Sequence, residues 1–103
     1  MPFVRGQVYF CDLGYGEKPW LVVSNNARNR ALGSALVARI TTSRKPPLES
    51  IVQLQHDDVL AGSVLCDDIE TIYADDDLRR AGALTLDTMV KVDRALKVAF
   101  RVN

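Results

Sequence analysis

Glu17 and Lys18 stand together between two apolar runs, and this is the first place where the chain of 103 residues offers chemistry. Gly14 and Gly16 precede them and Pro19 follows. The spacing predicts a glycine-rich loop carrying a charged pair, anchored at both ends by rigid strands. A second group is Arg39 and Thr41. They lie two residues apart in an alternating stretch, so both project to the same face of a strand. With Thr42, Arg44 and Lys45 behind them, they supply the cations and hydroxyls that hold a phosphate backbone. A third group, Asp67-Asp68, interrupts another strand pattern, which predicts a bulge or an opening into a pocket. An acid at 68 reads a base, accepts a proton or pairs with Lys18. Asn25 either hydrogen-bonds a base edge or caps a helical turn, and capping is the plainer role.

The elements that must position these side chains follow from periodicity and punctuation. Arg5-Gly6 opens a strand through Val8, Tyr9, Phe10 and Leu13. Pro19 suits the first residue of the next strand, because it donates no ladder hydrogen bond. Trp20 to Val23 is apolar throughout, which predicts burial on both faces and puts Trp20 in the core rather than against a base. Ser24-Asn25-Asn26 supplies caps for a helical turn over Ala27 to Leu32, closed by Gly33-Ser34. From Ala35 to Ser43, Leu36, Ala38 and Ile40 alternate with Val37, Arg39, Thr41 and Ser43. Pro46-Pro47 marks a loop. Ile51 to Gln55 and Val64 to Tyr73 read as strands. Asp75-Asp76-Asp77 is expected to cap a short helix over Leu78 to Ala81. The last helix runs from a cap at Thr85 to about Val102, with Met89, Val92, Leu96 and Ala99-Phe100 as its core stripe.

Composition sets the outer limits. The length suits one domain, residues 1–103, with a real core. The proportions, 48% hydrophobic and 25% charged, are ordinary for a globular protein. Nothing resembles a signal peptide or a membrane span, and no membrane partner is expected. Cys11 and Cys66 match no metal or redox spacing and read as free thiols of a cytoplasmic protein. His56 is the only histidine, in a loop beside two aspartates. That excludes a two-histidine mechanism, and no transition-metal site or cofactor is expected. Thirteen basic and thirteen acidic residues cancel, but unevenly. Residues 28–45 hold only bases and residues 57–77 only acids.

In order and spacing, these motifs resemble the MazF/PemK family of toxin endoribonucleases. The similarity is carried by R-G-x-V-Y-x-x-D-L from Arg5, by Lys18-Pro19 and L-V-V-S-N-N from Leu21, by Leu36 to Thr42, and by Asp68-Ile69-Glu70-Thr71-Ile72. It extends over nearly the whole chain. The resemblance implies a mainly β fold with α: a small, strongly curved sheet or open barrel, plugged by the C-terminal helix. It implies metal-independent cleavage of single-stranded RNA (mRNA, tRNA or rRNA) by attack of the 2′-hydroxyl on the adjacent phosphate. It also implies a homodimer and an antitoxin whose disordered tail orders over the active-site groove.

On this resemblance Lys18 and Thr41 are the catalytic residues. Around them, Asn25, Arg39, Thr42, Arg44, Lys45, Asp67 and Asp68 are the residues expected, from their type and position, to bind substrate. Two departures matter. Lys18 stands where most members carry arginine, and a lysine is a point charge without the bidentate fork. Asp67-Asp68 replaces what is often Glu-Gln. The alternative from another class is a non-enzymatic toxin of the related CcdB type, which poisons DNA gyrase by contact alone.

Overall fold

A computed structural model describes residues 3–102. Among them six strands form one antiparallel sheet: β1 (Gln7–Asp12), β2 (Glu17–Val22), β3 (Ser34–Thr41), β4 (Ile51–Gln53), β5 (Ser63–Tyr73) and β6 (Arg79–Ala83). Their order across the sheet is β4-β5-β3-β2-β1-β6. The helix α1 (Asn26–Leu32) joins β2 to β3, and α2 (Leu86–Phe100) ends the chain. The edges β4 and β6 do not pair with each other, so the sheet is open. None of the described helices is long and apolar enough to cross a membrane.

The sheet is apolar on both faces because successive strand residues point to opposite sides and both sides are covered. Val8, Leu21, Ala38, Ile40 and Val64 pack with Met89, Val92 and Ala95 of α2. Tyr9, Cys11, Trp20, Val22, Val37 and Ile72 form the second cluster, with Phe3. This accounts for the unbroken apolar run of β2. Asn25 caps α1 by accepting the Arg28 N–H at 2.8 Å, and Gly33 closes the helix in the left-handed region at φ 63°. Buried Asn29 ties α1 to the segment that leaves β2, its amide donating to the Ser24 carbonyl at 3.1 Å.

Two expectations fail here. No helix forms over Leu78 to Ala81. The Asp76 carboxylate instead accepts the Tyr73 N–H at 2.7 Å, closing a turn, and Arg79–Ala83 pairs along β1. A four-residue helix gains too few hydrogen bonds to offset its nucleation cost, whereas the same residues as β6 complete the ladder of β1. Arg79 reinforces the pairing, lying 4.5 Å above the Phe10 ring and 2.8 Å from Glu17. Phe100 is also not part of the core stripe but 60% exposed. At 100° per residue it has turned off the line shared by Val92, Ala95 and Ala99. The helix itself ends with Arg101 in the left-handed conformation at φ 57°.

Asp58 proves to be the residue that fastens α2 to the sheet. Its carboxylate accepts the Gln55 N–H at 2.7 Å, the N–H of the cap residue Thr85 at 3.0 Å and the Thr88 hydroxyl at 2.7 Å. Burial by itself raises the Asp58 pKa, but the N–H groups of Thr85 and Gln55 and the Thr88 hydroxyl outweigh it and hold the group below its ordinary value. A depressed carboxylate contributes stability above its unfolded pKa and loses it as pH falls through the folded value. Asp58→Ala is therefore expected to cost about 2 kcal/mol at neutral pH. The difference from wild type should shrink below about pH 4, as read from urea midpoints. A variant as stable as wild type at pH 7 would contradict this.

Candidate active site

The site begins with the missing N–H of Pro19. Val23 donates its N–H to Leu36 at 3.0 Å. In an antiparallel register every second residue then bonds the same neighbour, so Val23, Leu21 and Pro19 are the β2 positions turned to β3. Pro19 cannot make its bond, and the β2–β3 ladder stops at Trp20–Arg39. Lys18 lies one step beyond. The sequence places it in a loop ahead of the strand, but β2 starts at Glu17, and Lys18 is a strand residue opposite Cys11 of β1. Carried past Pro19, the same register sets Lys18 across from Thr41. The sheet is thus unzipped between the two residues, with the ends of β2 and β3 as its lips.

Lys18, Trp20 and Val22 alternate on one face, as do Val37, Arg39 and Thr41 on β3. Lys18, Arg39 and Thr41 therefore share a face, with fully buried Trp20 between Lys18 and Val22 along β2 and beside Arg39 across the ladder. Adjacent Glu17 points the other way, held by Arg79. Lys18 is half-buried, and no ion pair involves it among the described residues. The Thr41 hydroxyl oxygen accepts the Ser43 N–H at 3.1 Å, which leaves its own proton free to donate outward.

The third wall is the bulge. Ala38 pairs with Ile69 and Arg39 with Leu65, so Cys66, Asp67 and Asp68 have no partners on β3, in keeping with the interruption expected from Asp67-Asp68. Asp68 faces Arg39 rather than Lys18, at 4.0 Å. That distance exceeds a hydrogen bond and leaves the guanidinium charge only partly engaged. Two donors here were not foreseen from sequence. Trp20 Nε1 and Arg39 Nε are buried without hydrogen-bond partners, on directly paired residues. Only the register reveals that they are neighbours.

The other candidates scatter. Thr42, Arg44 and Lys45 are exposed on the segment leaving β3, at the Thr41 end of the site. Asp67 is exposed on the bulge. Asn25 lies seven residues past Lys18, about 20 Å along an extended strand, at the other end of β2. The structure does not bring it to Lys18 and Thr41. Both thiols are buried and free. Burial pushes Cys66 up to about 11, with the Asp67 charge adding to it. Burial also raises Cys11, followed by the charges of Asp76, Asp12, Asp77 and Glu17. Neither is a thiolate nucleophile near neutral pH.

What the face presents is an ammonium, a guanidinium and a free hydroxyl proton around an open strand end. These are donors for negative charge developing on an oxyanion. The chain is 47% identical over 96 residues to Endoribonuclease MazF4 of Mycobacterium tuberculosis, covering 93% of this chain and 90% of that one. A solved mycobacterial endoribonuclease in complex with its cognate antitoxin superposes with a TM-score of 0.92 at 45% identity, over 98% of this chain and 97% of that one. A second solved mycobacterial endoribonuclease gives 0.91 at 41% identity, over 99% and 94%. The family model for the PemK-like, MazF-like toxin of type II toxin–antitoxin systems matches residues 4–100, and the chain belongs to that family.

Proposed function

We propose that this chain is the toxin of a type II toxin–antitoxin pair and an endoribonuclease that cuts single-stranded RNA without a metal. The observation that supports it is the end of the β2–β3 ladder at Trp20–Arg39, beyond which the same register, carried past Pro19, sets Lys18 across from Thr41. A phosphate lodged between them meets the Lys18 ammonium on one side and the Thr41 hydroxyl on the other. The 2′-hydroxyl gives up its proton to water as its oxygen attacks phosphorus. The bond to the 5′-oxygen breaks, and that oxygen takes a proton back from water, so the products are a 2′,3′-cyclic phosphate and a 5′-hydroxyl. Lys18 stabilises the charge that gathers on the phosphorane oxygens, and Thr41 donates to a phosphate or departing oxygen. Arg39, Thr42, Arg44 and Lys45 hold the flanking backbone, and Asp67 and Asp68 border the groove. Asn25 serves α1 as its cap.

The test is incubation with unstructured RNA in a chelator. Fragments with 5′-hydroxyl ends, formed about a hundredfold more slowly by Thr41→Ala, support the reading. Activity that returns only with added divalent cation refutes its metal-free part. The gyrase-binding alternative is not favoured, since the close relatives carry endoribonuclease names. A cognate antitoxin follows from the solved relative in complex with its own. The homodimer, the plugged barrel, the single domain over 1–103 and a cytoplasmic location belong to the same proposal.

Asp68 tunes the site in this reading. Its carboxylate draws on Arg39 at 4.0 Å and repels phosphate. Asp68→Asn is expected to lower KM for RNA by about two- to fivefold, the worth of about 0.5–1 kcal/mol for a solvent-facing pair, with little change in kcat. A hundredfold loss of kcat would instead make Asp68 a proton acceptor.

A further inference from the structure

Thr41 does not hold its place alone. We infer that Gly62 is a positioning residue for the Thr41 hydroxyl. The inference rests on the ribonuclease reading above and deepens it. Gly62 directly precedes β5, whose first residue, Ser63, is the ladder partner of Thr41. Its φ of +125° lies in a region that L side chains rarely adopt. A Cβ built there falls inside 3.0 Å of the Thr41 carbonyl oxygen and 3.1 Å from its carbonyl carbon. The backbone of residue 62 is thus pressed against the peptide that leaves Thr41. Gly62 is fixed in turn from the far side, where its carbonyl accepts the Leu54 N–H at 2.9 Å.

The consequence for chemistry follows from what this peptide carries. The Thr41 carbonyl belongs to the Thr41–Thr42 peptide, one residue before the Ser43 N–H that fixes the Thr41 hydroxyl at 3.1 Å. A side chain of L configuration at 62 pushes that carbonyl away and swings the start of the Thr41–Ser43 turn with it. The hydroxyl loses its aim while the strand face and Arg39, which precede the displaced peptide, stay in place. A displacement near 1 Å at a reacting group costs about a hundredfold in rate. Glycine at 62 therefore serves more than the turn into β5. It lets two strands approach closely where one of them carries a catalytic hydroxyl.

The experiment is a double-substitution cycle on the full chain, with RNA cleavage measured in single turnover at enzyme excess. Gly62→Ala is expected to lower the rate by about ten- to a hundredfold, a larger factor than any change in KM for RNA, because Lys18 and Arg39 are undisturbed. In a Thr41→Ala background the same change at 62 should cost nothing further, while its effect on the melting temperature persists. A merely structural role would lower the rate by the same factor in both backgrounds, and that result overturns the inference. Because L-alanine strains the backbone at this φ, a semisynthetic chain with D-alanine at 62 is the second arm. D residues favour positive φ, and the added methyl points away from Thr41, so activity should return. D-alanine as slow as L-alanine also overturns the inference. If Thr41→Ala alone cleaves at the wild-type rate, the reading of the site itself fails, which is a distinct outcome.

Discussion

Lys18→Ala is expected to slow single-turnover RNA cleavage by about 10²- to 10³-fold, the usual loss when one preorganised charge-stabilising donor is removed. The expectation rests on placement. Lys18 is a half-buried strand residue, fixed by its pairing with Cys11, and no carboxylate pairs with it among the described residues. Its charge is therefore available to a phosphate. For the same reason the substitution should leave the denaturant midpoint nearly unchanged, since no ion pair is lost. Lys18→Arg separates charge from geometry. The family usually has arginine here, and a guanidinium reaches two phosphate oxygens where an ammonium offers a point charge. This variant should cleave at least as fast as wild type. A Lys18→Ala enzyme with an unchanged rate would remove Lys18 from the mechanism.

The largest loss of stability is expected at Trp20. It is fully buried in the second core cluster, among Tyr9, Cys11, Val22 and Val37. Truncating such a residue leaves a cavity that its strand neighbours cannot collapse into. Trp20→Ala should cost about 3–5 kcal/mol, a large part of the roughly 5–15 kcal/mol that holds a domain folded. Trp20→Phe isolates the indole N–H, which has no partner. It keeps most of the ring and removes an unsatisfied donor, so it should cost far less, about 1 kcal/mol or under. Urea denaturation of both variants checks the contrast, and equal losses would mean that the N–H is bonded after all.

Much of this architecture is legible in the residues themselves. The alternation through Ala35 to Ser43 puts Arg39 and Thr41 on one face, and the structure agrees. Asp67-Asp68 breaks the β5 pattern where three residues leave the ladder. Thr85 caps α2, and Asn25 caps α1. What stayed hidden is whatever depends on register. Pro19 reads as a strand opener, yet its physical work is to end the β2–β3 ladder inside a strand. β6 was hidden because three aspartates followed by Leu-Arg-Arg look like a helix start. Pairing with β1 decided its conformation, and that contact is remote in sequence. Asp58 and Gly62 look like ordinary loop residues until α2 and Thr41 are set against them. Asn25 offers a base contact or a helix cap in the sequence, and the structure shows the cap.

The most direct measurement is a crystal structure with a single-stranded RNA whose 2′-hydroxyl at the cut position is replaced by hydrogen. That blocks the attack and preserves the phosphate. The Lys18 ammonium and the Thr41 hydroxyl should both lie within about 2.7–3.2 Å of oxygens of one phosphate, seated where the strands part beyond Pro19. Density for that phosphate elsewhere, or the two groups engaged with different phosphates, would contradict the account.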